Sequence, residues 1–165
     1  YLIDRVRFRL SLSFTPNLSY KALASAFPSP CSLPPAEQAR LLADTVVSIR
    51  DSKLPNPKQI GSAGSFFKNP VVDTSVYQRL KTLFPDIVAF PLDDGNVKLA
   101  AGWLIEQCGW KGRGLGPVGV YEKQALVLVN LGNATGNDVE TLANQIINDV
   151  KSKFSISISP EAIYV

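Results

Sequence analysis

The chain contains no histidine and no methionine, and its only cysteines are Cys31 and Cys108. Without histidine, neither a Ser-His-Asp nor a Cys-His catalytic arrangement can form within these residues. Two distant cysteines indicate neither a disulfide framework nor a structural zinc site, so we expect no metal and a reducing, cytoplasmic location. Because the sequence begins at Tyr1 and lacks methionine, we expect it to be a processed or excised piece of a longer product.

Long apolar runs and strong charge are also missing. No apolar run approaches the roughly 18 residues that a membrane span needs. The 17 basic and 14 acidic residues give a net charge of +3, and the basic ones are scattered singly. Such scattered charge does not indicate a nucleic-acid surface. We therefore expect a globular domain with neither a membrane nor a nucleic acid as partner.

Hydrophobic periodicity predicts the secondary structure. Alternating apolar residues over 5–13 predict a half-buried strand, and residues 118–131 predict two strands or one bent pair. The last helix is predicted to carry Val139, Leu142, Ile146, Val150 and Phe154 on one apolar face. It is also predicted to begin with a capping box formed by Asn137 and Glu140. Strands and helices alternate irregularly, which favours an α+β fold. Helices are predicted around 20–26 and over 35–53, 73–84, 97–109 and 137–154.

Two glycine-rich stretches are candidates for function. Residues 114–119, GLGPVG, match a dinucleotide-binding pattern literally, but a helix precedes them and a strand follows, which is the reverse of the required order. Residues 61–70, GSAGSFFKNP, offer an uncrowded backbone with Ser65 at its end. A packed β-turn on two core phenylalanines and a ligand groove explain that stretch about equally well. Lacking a base, Ser65 fits a proton donor better than a nucleophile.

Five segments, in order, resemble the C-terminal half of the UDP-N-acetylenolpyruvoylglucosamine reductase family, also called UDP-N-acetylmuramate dehydrogenases. They are IRDSKLPNPK, GSAGSFFKNP, KLAAGWLIEQCGWKG, QALVLVN and SPEAIYV. The resemblance covers nearly the whole chain. It implies a bacterial cytoplasmic flavoenzyme of peptidoglycan precursor synthesis, in which NADPH reduces FAD and the reduced flavin passes a hydride to UDP-N-acetylglucosamine enolpyruvate. The implied product is UDP-N-acetylmuramate, which serves cell wall growth, cell shape and cell division.

The resemblance also implies roles for individual residues. Ser65 matches the proton donor of the family, and Glu161 matches its acidic partner, although a surface position is the usual explanation for such a glutamate. Arg50 matches a position close to the flavin, and Tyr20 matches a loop tyrosine that closes over the nucleotide. The other matches are substrate-contacting positions: Lys53, Asn69, Lys111 and Gln124.

By the same resemblance, residues 1–54 are the C-terminal part of an FAD-binding domain and residues 55–155 are a mixed α+β substrate-binding domain. Residues 156–165 return toward an N-terminal half, which binds most of the FAD and is absent here, so we expect this piece alone to be inactive. Phe90 stands where the family pattern has a tyrosine, which removes a hydroxyl contact to the nucleotide. A non-catalytic sugar-nucleotide-binding module stays open as an alternative function.

Overall fold

The computed structural model describes residues 3–28 and 31–163. It divides into two compact units, Tyr1–Ser52 and Lys53–Val165. This division lies close to the expected boundary after residue 54, while the roles assigned to the two domains stay predictions. Among the described helices, none is both long and apolar enough to span a bilayer.

The first unit contains two helices, α1 (Lys21–Ala26) and α2 (Pro35–Lys53), whose final residue begins the second unit. Both confirm the sequence prediction. Pro35 suits the first turn of α2 because a helix leaves its first N–H groups without intrahelical partners. None of the described residues of α2 is buried.

The strand predicted over residues 5–13 is wrong. This segment takes no part in a sheet, and every residue in it is exposed, including Phe8 at 77% and Leu12 at 107%. Alternation of apolar and polar residues gives a segment the side-chain pattern of a strand, but a β-ladder also needs a hydrogen-bonding neighbour. No described residue supplies that neighbour.

The second unit is built from short antiparallel strands and helices, which confirms the α+β class. One sheet has the strand order β1-β7-β6-β5 and the other β2-β4-β3. The elements are β1 (Ser62–Ser65), β2 (Val71–Asp73), α3 (Thr74–Leu83), β3 (Ala89–Pro91), β4 (Asn96–Leu99), α4 (Ala101–Gln107), β5 (Gly114–Leu115), β6 (Val118–Val120), β7 (Val127–Asn130) and α5 (Gly136–Phe154).

One hydrophobic core joins these elements. Helix α5 packs against α4 and β6, while α3 packs against β2 and β4. The predicted apolar face of α5 is confirmed, since Leu142, Ile146, Val150 and Phe154 are buried. The extended segment after α5 adds Ile156 and Ile158 to the same core. Residues 164–165, which end that segment, lie outside the described residues.

The helix predicted over residues 97–109 is wrong in its first turn. Val97 and Leu99 are buried and alternate with half-buried Lys98, as expected of the strand β4 that they form between β2 and β3. The helix begins only at Ala101, and Gly109 follows it at a φ of +76°, in the left-handed region that favours glycine after a helix.

The start of α5 also differs from the prediction. The capping box is formed by Thr135 and Asp138, not by Asn137 and Glu140. Asp138 N–H donates to Thr135 Oγ1 at 3.3 Å, and Thr135 N–H donates to Asp138 Oδ2 at 2.8 Å. Aspartate performs the return contact that glutamate usually makes. The GLGPVG stretch is a β-hairpin, with Gly114 paired to Gly119.

Candidate active site

Ser65 ends the edge strand β1, which pairs with β7 through the registers Ser62 to Val129 and Ser65 to Val127. The register shifts between these pairs, and Gly64 has a φ of +68° there. A positive φ is strained for residues with a Cβ, so the irregular strand requires glycine at that position. The Ser65 side chain lies on an exposed part of the strand.

The two phenylalanines after Ser65 anchor it from the core side. Phe66 and Phe67 are each 2% exposed, and their rings meet edge to face with centroids 5.2 Å apart. Phe66 N–H donates to Leu126 O at 2.8 Å. The strand end that carries Ser65 is therefore fixed by buried neighbours, as the packed-turn interpretation expects.

The backbone on the other side of Ser65 is open, as the groove interpretation expects. A Cβ placed on Gly64 would meet no atom within 4 Å, and one on Gly61 would meet only Asn130 Cβ, at 3.7 Å. Residues of β1 and β7 line a shallow depression of about 280 Å³ at this edge. Both readings of the stretch are compatible, since one applies to residues 61–64 and the other to Phe66 and Phe67.

The C-terminal segment brings Glu161 to the same place. Glu161 N–H donates to Phe66 O at 2.8 Å, and Lys68 N–H donates to Ser159 O at 2.9 Å. Phe67 and Pro160 form an antiparallel bridge between these bonds. Glu161 therefore lies across from the residue that follows Ser65, although almost 100 positions separate the two in sequence. Its side chain is exposed.

Asn69 and Gln124 converge on the start of α4. Asn69 Oδ1 accepts a hydrogen bond from Ala101 N–H at 2.9 Å, and Gln124 Oε1 accepts one from Leu126 N–H at 3.4 Å. Each amide uses its oxygen within the fold, so its NH₂ group is the donor that it can offer to a ligand.

Lys111 follows α4 on the rim of the unit. Its Nζ lies 2.9 Å from Glu106 Oε1, and both side chains are partly exposed. The preceding Trp110 is buried, donates from Nε1 to Asp149 Oδ2 at 2.9 Å and has the Arg113 guanidinium 4.4 Å above its ring. This anchored tryptophan fixes the backbone from which Lys111 extends. Sequence reasoning missed Glu106, although its closeness in sequence to Lys111 is the signal for such a pair.

The remaining candidates belong to other elements of the fold. Lys53 ends α2 and is half-buried. Tyr20 precedes α1 and Arg50 lies in the last turn of α2, both in the first unit, whereas Ser65 belongs to the second. Phe90 is 51% exposed on β3. Within the described ranges, no group of histidine, cysteine, aspartate or glutamate is arranged to hold a metal ion.

Comparison with known proteins relates the chain to a family. A family model described as UDP-N-acetylenolpyruvoylglucosamine reductase, C-terminal domain, matches residues 56–165. Proteins named UDP-N-acetylenolpyruvoylglucosamine reductase from Porphyromonas gingivalis (strain W83) and Azoarcus sp. (strain BH72) are 51% and 50% identical over 165 residues. Each alignment covers 100% of this chain, and 48% and 47% of those relatives.

The chain thus spans about half the length of the curated relatives it matches. Among solved structures, the reductase from Thermus caldophilus is 25% identical, with a TM-score of 0.46, over 79% of this chain and 35% of that one. The family model and the close relatives together establish that the chain belongs to the UDP-N-acetylenolpyruvoylglucosamine reductase family, with residues 56–165 as its C-terminal domain.

Proposed function

We propose that this chain is the C-terminal part of an NADPH-dependent, FAD-containing enzyme of the bacterial cytoplasm that reduces UDP-N-acetylglucosamine enolpyruvate to UDP-N-acetylmuramate. The observation that carries the proposal is the family match over residues 56–165. The placement of Glu161 beside Phe66, next to the exposed Ser65, supports it independently. In this proposal the second unit binds the substrate and supplies the proton.

The open backbone of β1 fits a flat ring system. Because Gly61 and Gly64 carry no side chains, and a Cβ on Gly64 would meet nothing within 4 Å, a flavin or the substrate can approach Ser65 closely. FAD, when bound, would provide hydride-transfer chemistry for the enolpyruvyl double bond, with NADPH as the source of the hydride. Arg50, an exposed cation on α2, is the residue of this chain that we assign to the flavin and the substrate carboxylate.

Ser65 completes the reduction as the general acid. After hydride addition to one carbon of the double bond, negative charge builds on the neighbouring carbon that bears the carboxylate. Ser65 Oγ–H donates its proton to that carbon, with Glu161 as the acidic partner at the same centre. A positioned general acid contributes about 10²–10⁴ in rate, provided that it is held within hydrogen-bond reach of the accepting atom. The buried Phe66 and Phe67 provide that rigidity.

The remaining candidates hold the nucleotide sugar. Lys53 and Lys111 carry positive charge suited to the diphosphate, which charge-assisted hydrogen bonds bind strongly. Asn69 and Gln124 present amide donors suited to the uridine and the sugar acid. We assign Tyr20 to a contact with the nucleotide.

The proposal is tested with the full-length protein, NADPH and the enolpyruvyl substrate. We expect substrate-dependent oxidation of NADPH and a product whose mass is that of UDP-N-acetylmuramate. The 165-residue chain alone is expected to show no turnover, because it spans about half the length of its relatives. Tight binding of the nucleotide sugar by the full-length protein, without NADPH oxidation, would overturn the reductase proposal and favour a binding module.

A further inference from the structure

The first turn of α4 is the shared support of two proposed substrate-contacting side chains. Asn69 Oδ1 accepts from Ala101 N–H, and Gln124 lies against the next residue, Gly102. Gly102 is half-buried and its φ lies outside the left-handed region. Alanine could adopt the same backbone and would favour the helix. Backbone conformation therefore does not explain a glycine at this position.

The lack of space for a side chain explains why Gly102 is a glycine. A Cβ on Gly102 would lie 3.3 Å from Leu126 Cγ, 3.7 Å from Leu126 Cδ1 and 3.5 Å from Gln124 Oε1. The contact with Cγ is tighter than nine in ten real Cβ contacts. Leu126 is half-buried and packs against the hydrophobic core, so it would have to move by a few tenths of an ångström. An alanine at this position must therefore shift Leu126.

Leu126 transmits such a shift to the candidate site. Its N–H donates to Gln124 Oε1 at 3.4 Å, and its carbonyl accepts from Phe66 N–H at 2.8 Å. The first bond fixes which end of the Gln124 amide faces the core. The second holds the residue next to Ser65.

We propose that Gly102 is a positioning residue for substrate binding: its missing side chain lets α4 approach Leu126 closely enough to hold the Gln124 amide in its binding orientation. This inference rests on the proposed function, in which Gln124 contacts the substrate. Gly102 itself touches no substrate.

The test compares Gly102→Ala with Gly136→Ala in the full-length protein. Gly136 is also a helical glycine without a positive φ, but a Cβ there meets nothing within 4 Å, which makes it a matched control. For G102A we expect the KM for the enolpyruvyl substrate to rise about five-fold, as for the loss of one hydrogen bond, with a much smaller change in kcat. G136A should leave both unchanged.

A double-mutant cycle with Gln124→Ala separates positioning from general destabilisation. Q124A should raise KM, and adding G102A to Q124A should raise it little further. An unchanged KM in G102A, or an equal effect of G102A with and without Gln124, would overturn the inference. If Q124A itself leaves KM unchanged, the assignment of Gln124 in the proposed function fails and the inference falls with it.

A second variant keeps the test decisive if G102A does not fold. Leu126→Ala removes both leucine atoms that the new Cβ would meet, so G102A combined with L126A should fold and should match the KM of L126A alone. A further loss of binding in that double variant would contradict the proposed route through Leu126.

Discussion

Lys111 has one observed interaction, with Glu106, and one proposed interaction, with the substrate, and single substitutions can separate the two. Its Nζ lies 2.9 Å from Glu106 Oε1, yet the two side chains keep 34% and 47% of their surface exposed. Ion pairs at such exposure contribute about 0–1 kcal/mol to folding. The pair is therefore a weak reason for a lysine here, and the proposed contact with the substrate diphosphate is a stronger one.

Replacing Lys111 by Met should raise the KM of the full-length enzyme for its nucleotide sugar at least ten-fold, the approximate value of one charge-assisted hydrogen bond, while leaving Tm nearly unchanged. Glu106→Gln is the matched control, because it breaks the ion pair and keeps the lysine. Calorimetric titration measures the affinity of each variant for the nucleotide sugar, and thermal unfolding measures the Tm of each. Equal losses of affinity in the two variants would show that only the ion pair matters.

Individual residues of the candidate site were predictable to different degrees. The glycines and phenylalanines around Ser65 indicate an open backbone and a buried anchor, and the structure has both. Glu161 was not predictable from periodicity, because only the tertiary bonds between the C-terminal segment and residues 66–68 bring it near Ser65. The importance of Gly102 was not predicted, because a side chain at this position would meet Leu126, which is distant in sequence and close only in the folded structure.

At the scale of single elements, the capping box of α5 links stability to pH. Hydrogen bonds from the Thr135 side chain, and then from its backbone N–H, hold the pKa of the Asp138 carboxyl below its ordinary value. A carboxyl with a depressed pKa in the folded state stabilises that state above its unfolded pKa of about 3.9. This contribution is lost as the pH falls through the lower, folded value.

Thr135→Ala should lower the free energy of unfolding at neutral pH by about 1 kcal/mol, as for loss of an N-cap. It should also make stability less dependent on pH below about 4, because the Asp138 pKa returns toward its ordinary value. Thr141→Ala, at an exposed position of the same helix, is the control and should not reduce stability. Urea unfolding at several pH values measures both effects, and an unchanged acid dependence in T135A would contradict this account.

Elements with a complete local pattern were predictable, and those that depend on a partner were not. Helix α5 has its apolar face where the periodicity placed it. Val97 and Leu99 fit either a helix or a strand in sequence, and only pairing with β2 and β3 decides for β4. For residues 5–13 the prediction failed in the opposite direction, because a strand was predicted and none forms. The segment has the alternation of a strand but no described neighbour to pair with.

At the scale of the whole molecule, the main core belongs to one unit. Every residue of the main hydrophobic cluster lies between Phe66 and Ile158, inside the unit Lys53–Val165. A unit with its own core is expected to unfold cooperatively by itself.

A shortened chain of residues 53–165 should therefore unfold in one cooperative thermal transition, with a Tm within a few degrees of that transition in the 165-residue chain. Leu104→Ala in the shortened chain tests whether its core is packed as in the structure. Leu104 is 0% exposed, so its truncation should lower the free energy of unfolding by about 2–5 kcal/mol. Scanning calorimetry measures these transitions. Broad, non-cooperative melting of the shortened chain would show that the core depends on residues 1–52.

The central claim is that Ser65 donates the proton, and the rate of flavin reoxidation tests it most directly. In the full-length enzyme with Ser65→Ala, stopped-flow absorbance should show flavin reduction by NADPH at a near-normal rate. Reoxidation by the enolpyruvyl substrate should be slower by about 10²–10⁴. Ser75→Ala, exposed on α3 and outside the candidate site, should leave both half-reactions unchanged. Reoxidation of the S65A flavin at the normal rate would contradict the claim and reduce residues 61–70 to a structural turn.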